Sequence, residues 1–240
     1  MTIEEYFGDW CKVVDLKEAD RIIKYLLSLK KVICPKVKDI FKAFTLCPLS
    51  SLRVVIIGQD PYNNLRNGKP VATGLAFANP SDTPPEAYSK SLDVLMDSVI
   101  DFSLPHESII FDPSLEKWEE QGVLLLNFAL SCELGKPGSH SLLWRPFMTS
   151  LLTNLSKHTT GIVYVLLGSA AQSLESYINE DFNYIIKEKH PSWYARTNTP
   201  MPPDIWRRVC SILRDQNGTD IKWFNSLKQE ESEEVFHEWH

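Results

Sequence analysis

RVVIIGQDPYNN, residues 53–64, joins a strand signal to a chemical one. Arg53–Gly58 is a near-continuous apolar run rich in β-branched residues. That pattern predicts a strand covered on both faces, as in a parallel sheet. At Gly58 the composition switches, and Gln59, Asp60, Pro61 and Tyr62 follow at once. In open α/β sheets ligands bind beyond the carboxyl ends of the strands, so polar groups placed there are candidates for a site.

Working outward, Val123–Asn127 (VLLLN) and Ile162–Gly168 (IVYVLLG) repeat the apolar run, and Tyr184–Lys189 (YIIKEK) is a less apolar fourth. Helical spacing fills the gaps, in SKSLDVLMDSVIDF from Ser89, in Trp144 to Lys157, and in SAAQSLESYI from Ser169. The first fifty residues also read as helices, with apolar positions in ADRIIKYLLSL. The alternation predicts an α/β fold: a three-layer single domain with a central, mostly parallel four-stranded sheet flanked by helices. That domain is expected over residues 1–228, followed by an acidic tail over 229–240.

The four runs end in GQDPYNN, NFALS, GSAAQ and HPSWYAR. Four such clusters on one edge of one sheet outline a site. Asp60 there can position water and stabilise a developing oxocarbenium ion, as carboxylates do in glycoside hydrolysis. It equally fits a turn, since Asp-Pro commonly initiates one. Asn127 offers a donor and an acceptor, which suits the imide edge of a pyrimidine. His190 can donate to a carbonyl oxygen that gains negative charge. Each of these two also fits a purely structural role.

The net charge of −6 is concentrated at one end, because the last twelve residues hold five acids and no Lys or Arg. The remainder is nearly neutral, so the charge neither supports nor excludes nucleic acid. No apolar run approaches the ~20 residues of a membrane span. MTIEEYFGDW lacks the basic start and apolar core of a secretory signal, so an intracellular protein without a membrane partner is expected. The cysteine count of five is odd and no C-x-x-C pair occurs, so reduced thiols are expected rather than a disulfide framework or a metal site. Neither G-x-G-x-x-G nor a Walker loop is present, which argues against another class of nucleotide-binding domain.

GQDPY, LLLN, GS followed by AAQ, and HPS, in this order and on these strand ends, resemble the family 1 uracil-DNA glycosylases. The resemblance spans roughly Arg53 to Trp206. It implies a monomeric, monofunctional hydrolase of base excision repair. Such an enzyme flips uracil out of single- or double-stranded DNA and leaves an abasic site, with no metal and no cofactor. By this resemblance Asp60 orients the attacking water and His190 bonds uracil O2 as the base leaves. Asn127 reads the polar edge, Phe77 stacks on the ring, Tyr62 excludes the thymine methyl group, and Gln59 lends pocket contacts. Ser91, Ser169 and Ser192 take the places of the backbone-binding serines.

Three departures stand out. Asn63 occupies the family's usual histidine position, and the loop from there to Gly74, with Arg66 and Lys69, is longer than usual. The proline-rich loop is reduced to Thr83-Pro84-Pro85. In Trp193-Tyr194-Ala195-Arg196, Tyr194 matches the intercalating leucine, which makes it an expected aromatic wedge beside a phosphate contact from Arg196. These departures also fit a DNA-binding or replication-accessory module with weak or no catalysis. The trio Asp60, Asn127 and His190 argues against that, because a pure binding module has no need of it.

Overall fold

A computed structural model describes residues 2–100 and 107–228. The acidic tail at 229–240 lies outside the described residues, as do the last two residues of the helix expected after Ser89. The central sheet has four strands: β1 (Val54–Gly58), β2 (Val123–Asn127), β3 (Val163–Leu167) and β4 (Tyr184–Glu188). Their order across the sheet is β2-β1-β3-β4, and every pairing is parallel. The expected fold class is therefore the observed one. β1, β2 and β3 are buried at every position, whereas β4, at one edge, buries only Ile186, which accounts for its weaker apolar signal.

Among the described residues, five helices of seven or more residues flank the sheet: α1 (Leu16–Ser28), α2 (Lys90–Val99), α3 (Ser141–His158), α4 (Pro191–Thr197) and α5 (Asp204–Asn217). Asp15 starts α1 by accepting from the Glu18 N–H at 3.1 Å, a side-chain N-cap. The face of Ala19, Ile22 and Leu26 is buried and α1 packs on α3. Phe7, Trp10, Phe41, Phe44, Trp144 and Phe147 form a chain of edge-to-face and tilted ring contacts in this layer. Such pairs add about 0.5–1.5 kcal/mol each beyond their burial.

Some boundaries differ from the sequence expectation. α3 begins at Ser141 rather than Trp144, because the backbone carbonyls of Gly138 and His140 accept from Ser141 and Trp144 and extend the first turn. The helix expected from Ser169 stops at Gln172 and gives way to a 3-10 turn at Glu175–Tyr177. Ser173 competes for backbone there by donating to the Ala170 carbonyl. Helix α5 carries a buried face of Ile205, Trp206, Val209, Cys210 and Leu213 that the sequence reading did not pick out.

The long loop after Asn63 also departs from a plain solvated loop. Leu65–Arg66 pairs antiparallel with Lys69–Pro70. Asn67 and Gly68 form the two-residue turn, with φ of 51° and 73°. Positive φ at both positions is the type I′ hairpin geometry that Asn-Gly favours.

Candidate active site

The strand order places β1 beside both β2 and β3, so the chain leaves β1 on one side and returns on the other. That reversal opens a crevice at the carboxyl ends, where a ligand is expected. Gly58 closes β1 in register with Asn127, the last residue of β2. A Cβ on Gly58 would meet Asn127 Oδ1 at 2.6 Å and Phe77 Cζ at 2.7 Å. Only glycine lets the amide and the ring approach there. Asn127 is 7% exposed, so its amide is held in a nearly dry setting.

Phe77 lies in a segment tied to β2 by the Ala76 N–H to Leu125 carbonyl bond of 3.2 Å. Its φ of 66° is left-handed, a strained conformation for a bulky residue. The strain aims its ring at His190, with centroids 5.5 Å apart and planes tilted by 40°. The Tyr62 hydroxyl donates to the Phe77 carbonyl at 2.9 Å, so the tyrosine ring is fixed against the same wall.

His190 caps α4. Its Nδ1 accepts from the Ser192 backbone N–H at 3.2 Å and lies 2.9 Å from Ser192 Oγ. With Nδ1 occupied as an acceptor, the neutral ring carries its proton on Nε2. Burial, reinforced by the Arg196 charge, pushes the His190 pKa down to about 4. At neutral pH the site therefore holds an uncharged imidazole donor. Gly168, after β3, allows this approach, since a Cβ there would meet His190 Cβ at 2.8 Å.

Asp60 is half-buried, and its Oδ2 accepts from the Gly138 backbone N–H at 2.9 Å. Burial raises its pKa, while the bonds from Gly138 and Gln59 oppose that rise. Gly138 is a residue the sequence reading missed. Its φ of 72° is glycine-like, and the GKPGSH composition of its loop was the available signal. A buried chain stands behind it, with Trp144 Nε1 donating to Ser131 Oγ and that hydroxyl 2.9 Å from His140 Nδ1.

Asp60, Tyr62, Phe77, Asn127 and His190 thus come together at one sheet edge. Gln59 is exposed there and its carbonyl accepts from Ala129. Ser91 is buried in the first turn of α2, Ser169 is exposed just after β3, and Ser192 is partly buried beside His190. Tyr194 does not stand out as the expected wedge. It is 6% exposed, and its hydroxyl donates to Glu188 Oε1 at 2.6 Å. The chain is already helical at that position, and Tyr194 faces the body rather than solvent. Trp193 is the more exposed ring, with the Lys189 ammonium 3.6 Å above its face, and Arg196 is exposed.

Three further findings lie outside the crevice. Among the described residues no helix is long and apolar enough to cross a membrane. All five cysteines are free, and four are buried. No group of three or more His, Cys, Asp or Glu among the described residues is placed to hold a metal ion.

A family model described as the uracil DNA glycosylase superfamily matches residues 44–214. The chain is 35% identical over 195 residues to the uracil-DNA glycosylase of Yersinia pestis (strain Pestoides F), covering 80% of this chain and 82% of that one. The uracil-DNA glycosylase of Yersinia pseudotuberculosis serotype I matches with the same identity and coverage. The crystal structure of mimivirus uracil-DNA glycosylase superposes with a TM-score of 0.71 over 93% of each chain, at 24% identity.

Proposed function

The chain belongs to the uracil-DNA glycosylase superfamily, and from that premise we infer that it hydrolyses the N-glycosidic bond of uracil in DNA, within family 1. The observation that carries this reading is the convergence of a carboxylate, an amide and a neutral imidazole donor on one crevice.

Uracil is stacked inside a duplex and must be extruded, at a cost of a few kcal/mol. The extruded ring slides between Phe77 and the crevice wall, and the Asn127 amide pairs with its polar edge. Cytosine presents the wrong donor there and leaves buried groups unpaired. Tyr62, fixed through the Phe77 carbonyl, fills the space beside C5 where thymine carries a methyl group. As the bond from C1′ to N1 breaks, its electron pair passes to the uracil anion. His190 Nε2–H donates to O2, where that charge collects. Asp60 faces the cationic sugar and orients a water. The water oxygen bonds to C1′, and its proton passes to the carboxylate. Burial suits Asp60 to receive it, because its proton affinity is already raised. Ser91, Ser169 and Ser192 grip strand phosphates without reading sequence.

A uracil-containing oligonucleotide, incubated with the protein and then treated with alkali, tests this reading. The wild type produces alkali-labile sites. Asp60→Asn and His190→Leu each lose about 10²–10³-fold or more in rate. Near-wild-type turnover by either variant, in a folded protein, would overturn the assignment of roles.

A further inference from the structure

The Gly138 N–H that holds Asp60 belongs to a loop, and the loop is fastened from within. Ser131, shortly beyond the end of β2, and His140, just before α3, meet across its neck. His140 Nδ1 lies 2.9 Å from Ser131 Oγ, and Trp144 Nε1 donates to that same oxygen at 2.8 Å. A second fastening crosses the loop, from the Glu133 N–H to Ser139 Oγ at 2.8 Å. The loop is also tied to the segment after Asp60, through the Gly135 N–H to Asn63 carbonyl bond of 2.7 Å.

The neck is dry. Ser131 and Trp144 are fully enclosed, and His140 is 5% exposed. Trp144 meets Phe41 and Phe147 edge-on, so the indole donor is anchored in the helical layer. Because Ser131 Oγ accepts from the indole, its own proton goes to His140 Nδ1. The imidazole is then neutral, and burial, which lowers its pKa, acts in the same sense. Its Nε2 has no hydrogen-bond partner among the described residues. His140 also stands at the cap position of α3 without capping the helix through its side chain. What the side chain supplies is an acceptor at Nδ1.

We propose that His140 is a positioning residue for the excision reaction: through Ser131 it closes the loop that presents the Gly138 N–H, and so orients the Asp60 carboxylate. Gly138 stands just before His140 in the chain, and the Ser141 N–H to Gly138 carbonyl bond of 3.1 Å carries the constraint across. With Oδ2 pinned at 2.9 Å, rotation of the carboxylate is restricted before any substrate arrives. The proposal rests on the glycosylase reading for the reaction it serves. The bond from Gly138 to Asp60, however, belongs to the free protein and can be followed without DNA.

Two measurements test this together: steady-state excision on uracil-containing single strand, and hydrogen exchange at the Gly138 amide of the free protein. His140→Phe keeps the bulk but offers Ser131 no acceptor. It lowers kcat about 10- to 100-fold, as misplacing a catalytic group does. KM stays within about twofold, because the contact acts at the reacting centre and not in binding. The Gly138 amide loses its protection, while amides of β1, β2 and β3 keep theirs. Ser131→Ala, which deletes one buried oxygen and little volume, does the same. His140→Asn, whose Oδ1 can stand in for Nδ1, restores both kcat and the protection. Asp60→Ala frees the Gly138 amide with His140 intact, and so calibrates the exchange. Wild-type kcat and exchange in His140→Phe and Ser131→Ala overturn the proposal. So does a loss of protection that spreads to β1–β3, or an Asn variant as impaired as the Phe variant, since either marks His140 as packing alone. Were the wild type to excise no uracil while Gly138 exchange still responded to Phe and recovered with Asn, the glycosylase reading would fail and the positioning would stand.

Discussion

Asp60 combines two demands that oppose each other. A folded-state pKa raised above the unfolded value stabilises the protein only below the unfolded pKa, and that contribution is lost as pH rises through the folded value. At neutral pH the ionised carboxylate is therefore a cost to the native state. Asp60→Asn keeps an acceptor for the Gly138 N–H and should raise the melting temperature while abolishing turnover. A gain of 1 kcal/mol corresponds to about 2–4 °C for a chain of this size. Melts at pH 7.5 should show the gain and melts below pH 4 should not; a variant that melts lower at pH 7.5 contradicts it. His190 runs the other way: with its pKa lowered to about 4, the imidazole stays neutral through pH 6.5. The pH profile of kcat should accordingly show no inflection at the ordinary histidine value of ~6.5. Tyr62→Ala should open the space beside C5 and permit slow thymine release, read as alkali-labile sites at T opposite G. Complete refusal of thymine would assign the exclusion to another group.

At the scale of elements, α4 decides how the imidazole is presented. Tyr194 pins α4 to the end of β4 through Glu188, and α4 packs on α2. Truncating a buried aromatic costs about 3–5 kcal/mol. Tyr194→Ala should therefore lower the melting temperature and slow excision on single- and double-stranded substrate alike. A loss confined to duplex, with an unchanged melting temperature, would restore Tyr194 as a wedge. The sequence places Tyr194 correctly on the chain but not on a face. Pattern matching aligned it with an exposed leucine, whereas the phenol's bond to Glu188 depends on a neighbouring strand. The hairpin was missed for a related reason: its arms are two residues each, too short for an alternating pattern, although Asn67-Gly68 is a strong turn signal.

For the molecule as a whole, what could be read in advance were features of short range and strong periodicity. β1, β2 and β3 announced themselves because burial on both faces leaves no polar interruption. Asp60, Asn127 and His190 followed, since each sits at or just beyond a strand end. The pairing of Glu107–Ile110 with Asn225–Lys228 had no such signal, because it joins segments more than a hundred residues apart. Gly138 escaped for the same reason: its bond to Asp60 bridges 78 positions, and the GKPGSH composition signals a turn there but not its partner.

The left-handed backbone at Phe77 constrains how such a protein can change over generations. A bulky residue at positive φ carries about 1–3 kcal/mol of strain, and glycine is the replacement that relieves it. Relief removes the ring, however, and losing a buried phenylalanine costs about 3–5 kcal/mol. The deficit outweighs the relief, so a lineage selected for heat resistance cannot shed the strain in one step. The signature is an inverted ranking. Phe77→Gly should melt above Phe77→Ala, although alanine has the larger side chain and the stiffer unfolded chain, and both should melt below the wild type. Alanine melting higher would mean the backbone relaxes once the ring is gone, leaving position 77 open to ordinary drift.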